Sequence, residues 1–278
     1  MNRRGTPAGR IVRIAIMALY LIVMIFPLYW MLITSLKPQK DIFKLPIMYW
    51  PKELSLQNYE NIFRITKFHI YIMNSIIVSL SAALIVLVVA TLSSYVLARF
   101  KFKGSGQVMF FFFLTQVIPS FIGFGPLYLM LSKMDLVNTR IGLILVYTVM
   151  CIPFSAIMLK GFFQRVPSSL EEAAQIDGCS RFGAMVRVIL PVMLPGLSAT
   201  FIFSFVQNWN ELFFSVIIIN SENLKTIPVA MNSFITKFDV DWGSMSAATV
   251  LSVIPTMVLF ALCQKLIVQG LTQGAEKG

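Results

Sequence analysis

The chain has 278 residues, 57% hydrophobic and 13% charged, with a mean hydropathy of +0.79. Soluble domains carry about 25% charged residues, so this composition excludes a water-coated globule and places the chain in the membrane class. The net charge of +11 does not indicate nucleic acid, because the basic residues lie in short stretches between apolar runs and form no aromatic-interleaved polar face.

A helix needs about 20 apolar residues to cross the hydrocarbon core, and six runs qualify. In chain order they are Ile14–Leu36, Ile70–Ala98, Gly104–Ser132, Ile141–Leu159, Val188–Ile219 and Trp242–Gln264. The first follows Arg3, Arg4, Arg10 and Arg13 and resembles a signal peptide in that respect. Its 23 uncharged residues exceed the roughly 7–15 of a signal h-region, and no small-residue cleavage site follows, so it reads as a retained helix. Only the fifth run holds a charge, Glu211.

Six spans put both termini on one side. Of the 23 Lys and Arg residues, 13 fall in 1–13, 99–103, 160–187 and 265–278, the pieces that an N-in, C-in arrangement places in the cytoplasm. The count is nearly balanced, but 1–13 and 99–103 are short, dense and free of acids, which favours the inside. The expected organisation is a cytoplasmic tail 1–13, a first span 14–36, an extracytoplasmic connector 37–69, a core 70–268 with a cytoplasmic loop 160–187, and a cytoplasmic tail 269–278. Within the connector, Ser55–Phe63 has the pattern of a short amphipathic helix, either resting on the bilayer or binding a partner. Pro27, Pro119, Pro126, Pro153, Pro191, Pro195 and Pro255 fall in spans, and each would free a carbonyl that neighbouring helices or water must satisfy. A packed, kinked bundle is the expected result.

Catalytic signatures are missing. There is no phosphate-binding glycine loop, HExxH, GxSxG or intramembrane carboxylate pair. Cys151, Cys179 and Cys263 form no CxxC, and His69 has no metal-ligand companion at useful spacing. The chain is expected to bind no cofactor or metal and to catalyse nothing, so any active transport would draw energy from an ion gradient or another subunit.

The loop 160–187 has structure of its own. Pro167, Ser168 and Ser169 open a helix, with Ser168/Glu171 and Ser169/Glu172 each at capping-box spacing. Leu170, Ala173, Ala174 and Asp177 share a face at helical spacing, and Gly178 is a natural stop. So short a helix is marginal alone. On spacing, it either packs its small residues against a partner or lies on the bilayer.

The run Glu172-Ala173-Ala174-Gln175-Ile176-Asp177-Gly178, followed after nine residues by Val188-Ile189-Leu190-Pro191, resembles the EAA loop of bacterial ABC importer permeases. Val188 stands where that family usually has isoleucine. Leu97-Ala98-Arg99-Phe100-Lys101-Phe102, Pro126-Leu127-Tyr128, Leu136-Val137-Asn138-Thr139, Gln207-Asn208-Trp209-Asn210-Glu211 and the tail Gly270–Gly278 are similar to the carbohydrate branch, the maltose-type second permease. The resemblance implies an all-α type I importer bundle in the bacterial cytoplasmic membrane, with a cytoplasmic coupling helix. It implies a second permease, a dimeric ATPase that uses ATP and magnesium, an external solute-binding protein and a sugar substrate. By the same resemblance Ser169, Leu170, Glu171, Glu172, Ala173, Ala174, Asp177 and Gly178 form the ATPase-coupling element.

Glu211 is the one acid in a span, where a central charge costs roughly 2.5–3.5 kcal/mol. With Gln207, Asn208, Trp209 and Asn210 it makes a polar, aromatic cluster of the kind that binds sugar hydroxyls. Hydrogen bonding between helices of different subunits is the plainer explanation. The other readings are a permease for amino acids or peptides, and an ion-coupled secondary transporter. The latter would show acids near mid-membrane and repeated halves.

Overall fold

The computed structural model describes residues 7–235 and 240–272, with side chains described for 9–235 and 240–265. In chain order the main helices are α1 (Pro7–Ser35), α2 (Gln57–Ile65), α3 (Phe68–Arg99), α4 (Ser105–Val117), α5 (Phe124–Lys133) and α6 (Arg140–Arg165). They continue with α7 (Ser169–Ile176), α8 (Arg181–Val192), α9 (Leu194–Trp209), α10 (Phe213–Ile218) and α11 (Trp242–Thr272). Among the described residues no strand forms; one isolated bridge joins Ile235 and Val240.

Four helical stretches are long and apolar enough to cross a membrane: Gly9–Ser35, Phe68–Arg99, Arg140–Arg165 and Trp242–Lys265. The third and fifth expected spans are not continuous helices. Ser105–Val117 and Ser120–Lys133 meet at 98°, and Arg181–Val192 and Leu194–Trp209 meet at 79°. Counting each bent pair as one span brings the total to six.

Proline placement explains the breaks. Pro27, Pro153 and Pro255 do lie inside helices. Pro119 instead sits in the extended break before α5, and Pro126 lies in that helix's first turn. Pro195 occupies an N-terminal position of α9, where a missing N–H costs no bond, and Pro191 lies at the C-terminal end of α8, just before the break. A π-helical turn, Met185–Ile189, precedes Pro191 and absorbs the displaced register. The expected tail 1–13 is helical from Pro7, and its first six residues lie outside the description, as does 273–278 at the other end.

The chain forms two compact units. The first comprises 1–68 and 231–254. The most apolar window of α1 is wholly exposed, and only its C-terminal end is packed. There Asn58 of α2 donates to the carbonyls of Ser35 and Lys37 at 2.9 and 2.8 Å, and Tyr59 shares a 2.8 Å hydrogen bond with Ser35. Lys37 is buried, donates from Nζ to the Met48 carbonyl at 2.6 Å and lies over the Trp30 ring at 4.6 Å. The connector helix is Gln57–Ile65, two residues later than the expected Ser55–Phe63. It buries Asn58 and Ile62 while Phe63 and Ile65 stay exposed.

The second unit comprises 69–230 and 255–278. Here α3 and α6 run side by side in the same direction. Arg140, at the start of α6, donates to Asn74 near the start of α3 at 2.9 Å, and Arg99, at the end of α3, donates to the Val166 carbonyl just past α6 at 2.9 Å. Ala82, Ala83 and Ala90 of α3 are completely buried, as suits close helix packing in lipid. Antiparallel to α6, α9 and α10 meet it along a ladder of polar contacts. These are Ser155–Ser204 at 3.1 Å, Cys151–Asn208 at 3.3 Å and Tyr147–Ser215 at 2.8 Å. Such bonds replace an apolar driving force that lipid does not supply.

α6 starts at a tightly built corner. Thr139 caps it by accepting from the Gly142 amide at 3.0 Å. A Cβ on Gly142 would lie 2.2 Å from the Leu136 carbonyl oxygen, so only glycine fits. Asn138, in left-handed conformation with φ 57°, accepts from the amides of Asn220 and Ser221 at 3.1 and 2.8 Å and ties this corner to the segment after α10.

Candidate functional site: the helix of the 160–187 loop

The sequence expects a helix here, and α7 spans Ser169–Ile176. It does not use the capping box. Ser168 has helical backbone angles and its side chain caps nothing. Glu171, its expected partner, is drawn away: its carboxylate accepts from Arg99 Nε at 2.6 Å and from the Tyr95 hydroxyl at 3.4 Å. Glu171 is 7% exposed and becomes the acid that anchors α7 to the end of α3. Its charge also faces the positive end of the helix dipole.

The far end matches expectation. Gly178 takes φ +88°, its amide donates to the Gln175 carbonyl at 3.1 Å, and the Cys179 amide donates to that of Ala174 at 2.9 Å. This is a Schellman stop, which needs a left-handed residue at the glycine position. Beyond it, the Arg181 guanidinium lies 5.5 Å from the Phe100 ring centroid, so the residues after α7 also contact the α3 terminus.

The expected shared face is divided. Ala174 is buried with Glu171 and faces the bundle, whereas Leu170, Glu172, Ala173 and Asp177 are exposed, as is Ser169. Ile176 is 86% exposed, and Phe182 just beyond is 65% exposed. A short helix is thus held to the protein by one buried ion pair and turns outward an acid, a small residue and two aliphatic side chains.

The second cluster is not gathered as one polar surface. Asn208 and Trp209 are buried, Trp209 stacking on Phe205 at 5.5 Å, while Gln207 and Asn210 are exposed. Asn210 donates back to the Val206 carbonyl of its own helix at 2.9 Å. Glu211 is not within a continuous span. The helix ends at Trp209, and the Glu211 carboxylate caps α10 by accepting from the Phe214 and Ser215 amides at 3.0 and 3.2 Å. Its charge is met by backbone donors of its own chain. Gln207 lines a cavity of about 400 Å³ with Ala199, Ile202, Phe203, Val206 and Phe260. Among the described residues no His, Cys, Asp or Glu group could hold a metal ion.

The family described as "binding-protein-dependent transport system inner membrane component" matches residues 90–273. The chain belongs to this family. The chain is 36% identical over 255 residues, covering 92% of each sequence, to the diacetylchitobiose uptake system permease protein DasC of Streptomyces coelicolor. It is 32% identical to the sulfoquinovosyl glycerol transport system permease protein SmoH of Agrobacterium fabrum, over 98% of this chain and 95% of that one. The trehalose/maltose transport system permease protein MalG of Thermococcus litoralis is 32% identical, with 92% and 93% covered. In fold, the chain matches a subunit of a bacterial ABC transporter that imports the acidic polysaccharide alginate, with a TM-score of 0.81 at 18% identity over 95% of this chain and 98% of that one.

As an inner membrane component of a binding-protein-dependent transport system, the chain is a transport subunit and not itself an enzyme. The matched region includes both halves of the Arg99–Glu171 pair and the whole of α7. The acid that holds the helix, Glu171, and the tyrosine and arginines around it were not separable from neighbouring polar residues in the sequence. The basic run at 99–103 marked a membrane edge without naming a partner.

Proposed function

We propose that the chain is one of two permease subunits of an ATP-binding-cassette importer for a sugar or oligosaccharide, with six spans and both termini in the cytoplasm. In this reading α7 docks with its exposed face in a separate dimeric ATPase, and an external solute-binding protein delivers the sugar. The observation that carries it is the outward presentation of Leu170, Glu172, Ala173 and Ile176 on a helix otherwise fixed to the bundle through Glu171. Paired termini of α3 and α6 support the topology, since they bring 99–103 and 160–187 to one end of the bundle and 133–140 and 219–226 to the other. The relatives' uptake of diacetylchitobiose, sulfoquinovosyl glycerol and trehalose or maltose supports a sugar as substrate.

The test is co-purification of the full chain with a nucleotide-hydrolysing subunit from native membranes, repeated with Glu172→Lys. Capture that is lost in the variant supports the reading. Equal capture, or none by the parent chain, overturns it. Uptake by the reconstituted complex, assayed with oligosaccharides against peptides and amino acids, decides the solute class.

A further inference from the structure

Every long membrane helix described, except one, carries a proline. Pro27, Pro153 and Pro255 lie within α1, α6 and α11, and the two remaining spans are bent by 98° and 79°. α3 has neither proline nor glycine in 32 residues. Sharp bends in helices arise at prolines, Gly/Ser pairs or π-turns; α3 has no proline, glycine or π-turn, and its one serine pair, Ser93–Ser94, lies near the clamped C-terminal end, where the helix continues unbroken to Arg99.

Both ends of α3 are clamped, and to functionally different places. At one end Arg99 and Tyr95 hold Glu171, and Arg99 also holds the Val166 carbonyl that leads into α7. At the other end Asn74 is completely buried. It donates to the carbonyls of Asn223 and Lys225, both at 2.9 Å, and accepts from Arg140 at 2.9 Å. Ser75 accepts from the Ile227 amide at 2.8 Å, and Tyr71 donates to Glu222. Asn74 and Arg99 are about 37 Å apart along the axis. A stiff rod with hydrogen-bonded ends passes displacement at one end to the other with little loss.

We propose that α3 carries movement of α7 to the 219–227 loop on the opposite side of the membrane, with Arg99 and Asn74 as positioning residues at its two ends. This rests on the reading of α7 as the ATPase-docking helix. ATP-driven movement of α7 is then felt at the external loop as a shift of the whole rod, and no chain of side-chain rearrangements through the bundle is required.

The test uses the assembled transporter in lipid nanodiscs with its solute-binding protein. A spin label is attached through Asn220→Cys, at an exposed position of the loop, with Cys179→Ser and Cys263→Ser as background. In the parent, magnesium-ATP shifts the label's spectrum. Two variants interrupt the rod: Asn74→Ala frees its external end, and Leu84→Gly/Val88→Gly softens its middle at exposed positions without touching either clamp. In both, the spectral shift is lost and uptake falls about tenfold while ATP hydrolysis continues. Retention of the shift and of uptake in the glycine pair overturns the rod, as does a parent label that never responds to nucleotide. Glu172→Lys separates the two ideas. If it uncouples while the rod variants transport normally, the docking helix stands and the rod fails. If Glu172→Lys changes nothing, the docking reading itself has failed.

Discussion

Arg99 and Glu171 meet at 2.6 Å across 72 residues of sequence, while Glu172, the next residue along, faces outward. Adjacent acids on one short helix thus do opposite jobs, one fixing the helix to its own chain and the other left exposed. Removing Arg99 strands Glu171 in a nearly dry position, which costs about 3 kcal/mol or more. Arg99→Ala is expected to lower the detergent-solubilised melting temperature clearly more than Arg99→Met/Glu171→Met does. Equal losses in a thermal unfolding comparison would show that the pair contributes no net anchoring.

Gly178 stops α7 at φ +88°, where a side chain costs roughly 1–2 kcal/mol. Gly178→Ala should weaken coupling of uptake to ATP hydrolysis moderately, and Gly178→Asn less, because asparagine tolerates the left-handed region. Gly178→Pro should abolish coupling while membrane insertion persists. Normal uptake by a well-expressed Gly178→Pro protein would count against the docking role.

Gly142 lies under the Leu136 carbonyl at a distance no Cβ can share. Gly142→Ala must displace backbone at the α6 corner and is expected to cost about 1–3 kcal/mol. Reduced expression and a lower melting temperature, with no change in solute selectivity among molecules that still assemble, is the expected pattern.

Glu211 caps α10 through two amides of its own chain. Glu211→Ala should destabilise by about 1 kcal/mol, as cap removal generally does. Gln207→Ala, at the cavity wall, should leave stability unchanged. Thermal unfolding and equilibrium solute binding measured on both variants separate a cap from a substrate contact. If Glu211→Ala unfolds as the parent does but binds solute less well, the capping account is wrong.

Burial lowers the Lys37 pKa from its ordinary 10.5, with nearby Asp41 opposing the shift. Between the lowered folded value and 10.5 the unfolded chain binds more protons, so stability rises with pH across that window. Below the folded value both states are protonated and the cost of burying the cation is constant. Melting curves from pH 8 to pH 11 should therefore show a relative gain for the parent that Lys37→Met lacks.

The six apolar runs and the α7 helix were legible because length and spacing report them directly. Bends at Pro119 and around Pro191–Pro195 were signalled by proline, but their angles depend on packing that no local pattern encodes. The capping box at Ser168 had the right spacing and was wrong because Arg99, distant in sequence, competes for Glu171 more strongly than a backbone amide does. Ala174 and Ala173 look alike in sequence, yet one faces the bundle and the other faces out. The five residues Gln207–Glu211 are contiguous in sequence, but no local pattern reports that the helix ends at Trp209. Once it ends there, the five residues point to different surroundings.

The 98° bend between Ser105–Val117 and Ser120–Lys133 bears on how the chain is made. The first arm, 13 residues long, reaches about 20 Å, short of the roughly 30 Å hydrocarbon core. The sequence nonetheless presents 104–132 as one uncharged stretch, long enough by hydropathy to be recognised as a single span. Insertion of this region therefore depends on the whole of 104–132 being apolar, because an arm of this length does not cross the core alone.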